Sequence, residues 1–380
     1  MPLLFIATLF CLLFSGCSAI IETQGVEISR NLPEPPDLSD GDFISVSTQE
    51  ELERAILDMV KSRSERDLFR IEMVSPYDIR SMILDAIEKV HMEPLAAYAT
   101  GGGIAPLINE GHGYAELELV ITYRKTAAQI AGLRTFHTEG AAISQLSHML
   151  RAGESYLAMS APPHIANTGF IEHAILDYYY SQALEVILLP QVHTGLYLSG
   201  TDDHGIAAVE LDFGFTRGEI AQMRIALQDT AASMVDALPE NLSTQEQIRS
   251  LAEALADRVI GPLEEEPQAD LRELRPLSTT AFGALVQGAA TSEGYAMAFK
   301  ALMDLLGVDS HVVQGEREDG RHVWNIVGIG DYYYHVDISL LAFLGPEYTL
   351  FLSDESMLLQ KGYSWDVRLY PHADGPALVW

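Results

Sequence analysis

Apolar positions recur at helical spacing late in the chain. Tyr295, Phe299, Leu302 and Leu306 share one face, predicting a helix from about Ser292 to Leu306 that stops at Gly307. Three short alternating runs follow, HVVQG (311–315), HVWNIVG (322–328) and YYYHVD (332–337), with turns over 315–320 and 328–331. Further upstream, LERAILDMV (52–60) and IEHAILDYY (171–179) both carry Glu-x-Ala-Ile-Leu-Asp in a helical pattern. Each precedes an alternating strand, AELELVITY (115–123) or AAVELDFGF (207–215), and then a helix containing AAQIAGLR (127–134) or GEIAQMR (218–224). The pattern predicts two diverged α/β repeats over 46–160 and 161–240, the first with an extra helix over 76–90. A single irregular α+β domain is the alternative. Helices are predicted over 216–238 and 243–261, the second opened by a capping box of Ser243 and Glu246, before an acidic loop over 262–276.

Residues 3–14 are apolar and precede Ser15-Gly16-Cys17. As a helix that run spans about 18 Å, short for a membrane crossing and suited to a signal peptide. Small residues before a Cys resemble the bacterial lipobox. The resemblance implies a signal peptide over 1–17, lipidation at Cys17, and an exported protein anchored by that lipid on the extracytoplasmic side of a membrane. Residues 18–45, acidic and Pro-rich, then read as a tether. A plain secretory signal or a buried helix is the alternative for the apolar run.

Charge narrows the partners. The chain of 380 residues has 23 Lys and Arg against 54 Asp and Glu, a formal net charge of -31. Nothing in that balance would release counterions from a polyanion, so no nucleic acid is expected. Its two cysteines, Cys11 and Cys17, leave no thiol beyond residue 17 for a metal cluster, a redox pair, a disulfide framework or a nucleophile. His91, His112, His137, His148, His164, His173, His193 and His204 are scattered without ligand spacing. No metal site and no cofactor is expected.

The predicted helix and strands put Ser292 at a helix N-terminus, His322 on one strand and Asp337 on the next. A nucleophile there gains from the helix dipole, an imidazole can act as its base, and a carboxylate can orient the imidazole. Ser292-Glu293-Gly294-Tyr295-Ala296, His322-Val323-Trp324-Asn325 and Tyr334-His335-Val336-Asp337 resemble the three ordered motifs of the transglutaminase-like superfamily, and the tail over 351–371 resembles its closing segment. The resemblance implies an α+β architecture: a transglutaminase-like (papain-like) domain within 241–380, behind a helical lead-in and the two-lobed α/β repeat region.

The family's thiol is replaced by Ser292. A thiol at such a site is stored as a thiolate, whereas a hydroxyl must lose its proton in step with attack. Serine is also a common N-cap residue. The expectation is a degenerate triad of Ser292, His322 and Asp337 in a non-catalytic domain that binds protein, peptide or cell-wall material, with Tyr295, Trp324 and Asn325 as cleft candidates. The alternative is a serine-dependent amidase, peptidase or acyltransferase using the same three residues. A third reading is an exported structural module whose active part is the repeat region.

Overall fold

The Thr48 side chain accepts the Glu51 N–H and opens the first helix, which Arg63 closes in the left-handed conformation. The computed structural model describes residues 42–72, 79–110, 114–198, 204–260, 271–318, 320–345, 351–376 and 378. Its first unit runs β1 (Ile44–Val46), α1 (Gln49–Ser62), β2 (Arg66–Glu72), α2 (Ile79–His91), α3 (Pro94–Thr100), β3 (Ile104–Glu110), β4 (Tyr114–Ile121) and α4 (Ala127–Ala131). The second runs β5 (Arg134–Thr135), α5 (Glu139–Ala152), β6 (Tyr156–Ala161), α6 (Thr168–Ser181), β7 (Gln191–Tyr197), β8 (Gly205–Asp212) and α7 (Arg217–Asp236). Sheet order is β1-β2-β4-β3 in the first and β5-β6-β8-β7 in the second. In both, the first pair is parallel and the other pairs are antiparallel.

This topology moves the expected boundary. Residues 160 and 161 end β6, inside the second sheet, and the units meet between Ala131 and Arg134. Strand order equates α1 with α5, although the shared Glu-x-Ala-Ile-Leu-Asp lies on α1 and α6. The reason is that β5 holds two residues and pairs with Met159 and Ser160, a contact no local pattern can reveal. Ile44 and Ser45, expected in the tether, belong to β1. The leader with Cys17, the tether up to residue 41 and residues 261–270 of the acidic loop lie outside the described residues.

The second sheet is buried on both faces. Along β6 and β8 successive side chains alternate, so Leu157, Met159, Val209 and Leu211 enter the core shared with the C-terminal region. Ala158, Ile206 and Ala208 enter the core of the first unit, where α3 packs on β7 and β8.

Helix α8 (Thr244–Arg258) starts at the expected Ser243–Glu246 box. After it come α9 (Ser292–Leu306), β9 (Ser310–Arg317), β10 (Gly320–Ile329), β11 (Tyr332–Val336), α10 (Ile338–Leu344), β12 (Phe351–Ser353), α11 (Glu355–Gln360) and β13 (Tyr363–Trp365). The strands form an antiparallel sheet of order β12-β11-β10-β9-β13. Helix α9 is buried at every position from Ser292 to Met303, between β9 and β10 on one side and α7 and α8 on the other. Being apolar nearly all round, it can only be a central helix.

Candidate active site

The cap of α9 is Thr291, not Ser292: the Thr291 hydroxyl accepts the Gly294 N–H at 3.3 Å. Ser292 is therefore the first helical residue, and its N-cap explanation falls. Gly294 is required by close approach, since a Cβ there would lie 2.0 Å from the Ser278 carbonyl oxygen. That contact seats the helix end against the turn Leu277–Thr279.

The Ser292 hydroxyl accepts the Val323 N–H at 3.0 Å. Pairing of β10 with β11 starts only at Asn325, so β11 cannot serve that N–H. On the other edge Val323 faces Gln314, whose own N–H goes to the Tyr370 hydroxyl. Ser292 thus completes the ladder where β11 ends. It is 1% exposed.

His322, on the preceding position of β10, is buried and aligned by two rings. It stacks on Trp324 with centroids 6.1 Å apart and meets the Tyr363 ring edge-on at 5.7 Å. Its Nε2 lies 2.7 Å from Asp337 Oδ2. Asp337 follows β11 instead of ending it, and serves as the N-cap of α10 through the Leu340 N–H at 3.1 Å. The same carboxylate accepts the Ser339 hydroxyl at 2.6 Å and the Tyr363 hydroxyl at 2.6 Å. Burial pushes the Asp337 carboxyl up, but the His322 ring and the two hydroxyls outweigh it and hold it at about 2. Burial, followed by Asp337, raises the Tyr363 phenol far above its ordinary value.

Tyr295, Trp324 and Asn325, expected in a cleft, are all interior. Tyr295 is pushed up to about 12 by burial. Asn325 Nδ2 donates to the Ala296 carbonyl at 3.0 Å, tying β10 to α9. Trp324 donates its indole N–H to His335 Nδ1 at 3.0 Å and packs with Val313, Ile326, Leu358 and Tyr363. Burial drives His335 down to about 4, so it is neutral at ordinary pH.

The sequence reading missed Glu293. Its fully buried carboxylate receives the Arg275 guanidinium in bidentate fashion, with Nη1 at 2.7 Å, and Arg321 Nη1 at 2.8 Å. Tyr180 of α6 donates its hydroxyl to the same carboxylate. Glu293 therefore sits beside Ser292 in sequence, and Arg321 beside His322. Burial works against the Arg275 charge, but Glu293 and Tyr180 outweigh it and its pKa lies above the ordinary value. One signal was available: Glu293 and Lys300, two turns apart on one helix face, are the charges in an otherwise apolar run from Glu293 to Met303. Nothing local pointed to Tyr363 as a partner of Asp337.

No family model matches the chain, and no curated protein matches it. Solved structures similar to it include a transglutaminase (TGase), with a TM-score of 0.28 and 12% identity over 58% of this chain and 60% of that one. Menin, described with its binding site for the Mixed Lineage Leukemia (MLL) protein, has a TM-score of 0.21 and 23% identity over 31% of this chain and 25% of its own. A candidate cysteine protease from Cytophaga hutchinsonii has a TM-score of 0.25 and 10% identity over 43% of this chain and 66% of its own. The chain thus spans less than two thirds of each of these proteins.

Chemically, the His322–Asp337 pair is an oriented imidazole. With Nε2–H donating to the carboxylate, Nδ1 is the ring nitrogen left to accept a proton. The side chain in the nucleophile position accepts a backbone hydrogen bond and is shut away from solvent.

Proposed function

We propose that the C-terminal region is a transglutaminase-like, papain-like domain that binds without turning over, in an exported lipoprotein held to the membrane through Cys17. Its ligand is protein, peptide or cell-wall material. The supporting observation is the buried Ser292 hydroxyl, spent as the acceptor for Val323 N–H. An attacking serine must be reached by a carbonyl and must pass its proton to a base as it attacks. The Ser292 hydroxyl lies between α9 and β10, almost fully buried, and its oxygen already accepts a backbone hydrogen bond. Two surface cavities, of about 440 and 580 Å³, are lined by none of Ser292, His322 and Asp337.

The oriented His322–Asp337 pair favours a second reading, a serine-dependent amidase, peptidase or acyltransferase. A fluorophosphonate probe separates the two. The binding reading expects full-length protein to stay unlabelled, under conditions that label a control serine hydrolase completely. Stoichiometric labelling of Ser292 that disappears in His322→Ala would establish the enzyme instead.

A further inference from the structure

Resting on the binding reading above and deepening it, we infer that the outer edge of β7 is a docking site for an extended basic peptide, which adds a strand to the second sheet. Strand β7 is the outermost of the order β5-β6-β8-β7 and pairs with β8 in unbroken register from Gln191 to Tyr197. A cavity of about 440 Å³ lies along it. Thr168 and Glu172 of α6 form one side of that groove, and Lys125, Tyr197 and Glu210 the other.

The Val192 N–H points away from β8 and donates to the Leu271 carbonyl at 2.6 Å. In an antiparallel ladder the main-chain groups of alternate residues share a direction. Thr194 and Leu196 therefore present their N–H and C=O groups along the same outer edge. That edge takes a main-chain partner at Val192 and, among the described residues, no backbone partner outside the sheet beyond it. The Thr194 side chain adds an independent sign. Its hydroxyl lines the groove, buried and without a hydrogen-bond partner among the described residues. Buried polar atoms in folded chains are nearly always paired, so this one points to a ligand that supplies the partner.

Alternation along β7 sorts the charges. Val192 and Thr194 share a face with their register partners Leu211 and Val209, which belong to the core that holds Ile171 and Ile175 of α6. His193 and Glu210 lie on the opposite face, toward the first unit, where Lys125 stands 4.0 Å from Glu210 and over the Tyr98 and Tyr156 rings. On the α6 face the Glu172 carboxylate has no cation partner among the described residues, and Arg272, also in the lining, already interacts elsewhere. A Lys or Arg side chain of a peptide strand on that face meets Glu172, and the net charge of -31 draws a basic partner in. Main-chain pairing supplies the affinity and Glu172 the preference.

The test selects a displayed heptapeptide library on the full-length protein and follows the enriched peptide, once synthesised, by titration calorimetry. Its sequence is expected to carry Lys or Arg at alternate positions. N-methylation of the residues that pair with β7 should abolish binding, and N-methylation of those between them should leave it unchanged. Thr194→Pro removes an outward N–H at an edge position, where proline is tolerated, and should weaken binding at least about tenfold. Glu172→Lys, which disturbs no strand, should weaken it about as much by reversing the charge. No enriched peptide, a consensus without basic residues, indifference to N-methylation, or binding unchanged in both variants would overturn the inference. So would a dimer in sedimentation that Thr194→Pro dissociates, which assigns the edge to a second copy of the chain. Peptide binding unchanged in both variants leaves the binding reading standing, whereas fluorophosphonate labelling of Ser292 strikes that reading and not this edge, so the two failures are distinguishable.

Discussion

Tyr180 on α6 donates its hydroxyl to the Glu293 carboxylate at 2.9 Å, joining the second unit to the residue that follows Ser292. Arg275 and Arg321 close the cluster, and Arg321 also donates to the Tyr180 oxygen at 3.2 Å. The second unit is thereby wired to the same turn of α9 that carries the candidate site. Both share one hydrophobic core, so the polar cluster fixes orientation within an interface that apolar packing already holds.

Removing the charge at the centre should be the more damaging change. Glu293→Gln keeps the volume but leaves two buried guanidinium groups uncompensated, at a cost of about 3–5 kcal/mol. Tyr180→Phe removes one hydrogen bond to a charged group and should cost about 1–3 kcal/mol. Urea denaturation of the full-length protein measures both. Equal stability of Glu293→Gln and wild type would show that the cluster contributes nothing to the fold.

Ser292→Ala tests whether that serine is a strut. Losing its hydroxyl strands the buried Val323 N–H at the end of the β11 ladder, with an expected loss of about 1–3 kcal/mol. Ser292→Thr restores the oxygen and should recover part of it, limited by the extra methyl in a packed position. If Ser292→Ala melts like the wild type, the hydroxyl is not structural.

Acid should unfold the C-terminal domain in two stages. The buried His335 has a pKa of about 4 against an ordinary 6.5, so the unfolded chain takes up its proton first. Its contribution is whole above about 6.5 and is lost as pH falls towards 4, of order 3 kcal/mol. Asp337 is held at about 2 against an ordinary 3.8. Its contribution is whole above about 4 and is lost between there and 2, of order 2 kcal/mol. The difference in stability between wild type and His335→Gln should therefore change from pH 7 to pH 4. That between wild type and Asp337→Asn should change only below pH 4. Differences that stay constant over those ranges would remove these two groups as the titrating sites.

The bounds of α9 follow from its apolar spacing and from Gly307, which takes the left-handed conformation where the helix stops. Strands β9, β10 and β11 follow from alternation punctuated by turn residues, and the capping box of α8 from Ser243 and Glu246 alone. Such features depend on neighbours three or four residues away, so a linear pattern contains them. The same holds for the proximity of His322 and Asp337, because a short antiparallel hairpin leaves little choice of register.

What the side chains do was decided by partners distant in the chain. That Val323, 31 residues on, donates to the Ser292 hydroxyl is invisible in the local pattern. Tyr180 and Glu293 are separated by 113 residues and meet only because α6 and α9 share a core. Trp324 and Asn325 turned inward because the sheet is covered on the face each of them occupies, which alternation alone does not specify. The unit boundary moved because β5 finds its parallel partner across α5. Local propensity acts within a turn or a strand, whereas burial and pairing depend on which elements pack together. The three-dimensional arrangement alone set the Ser292 hydroxyl against the Val323 N–H and buried it.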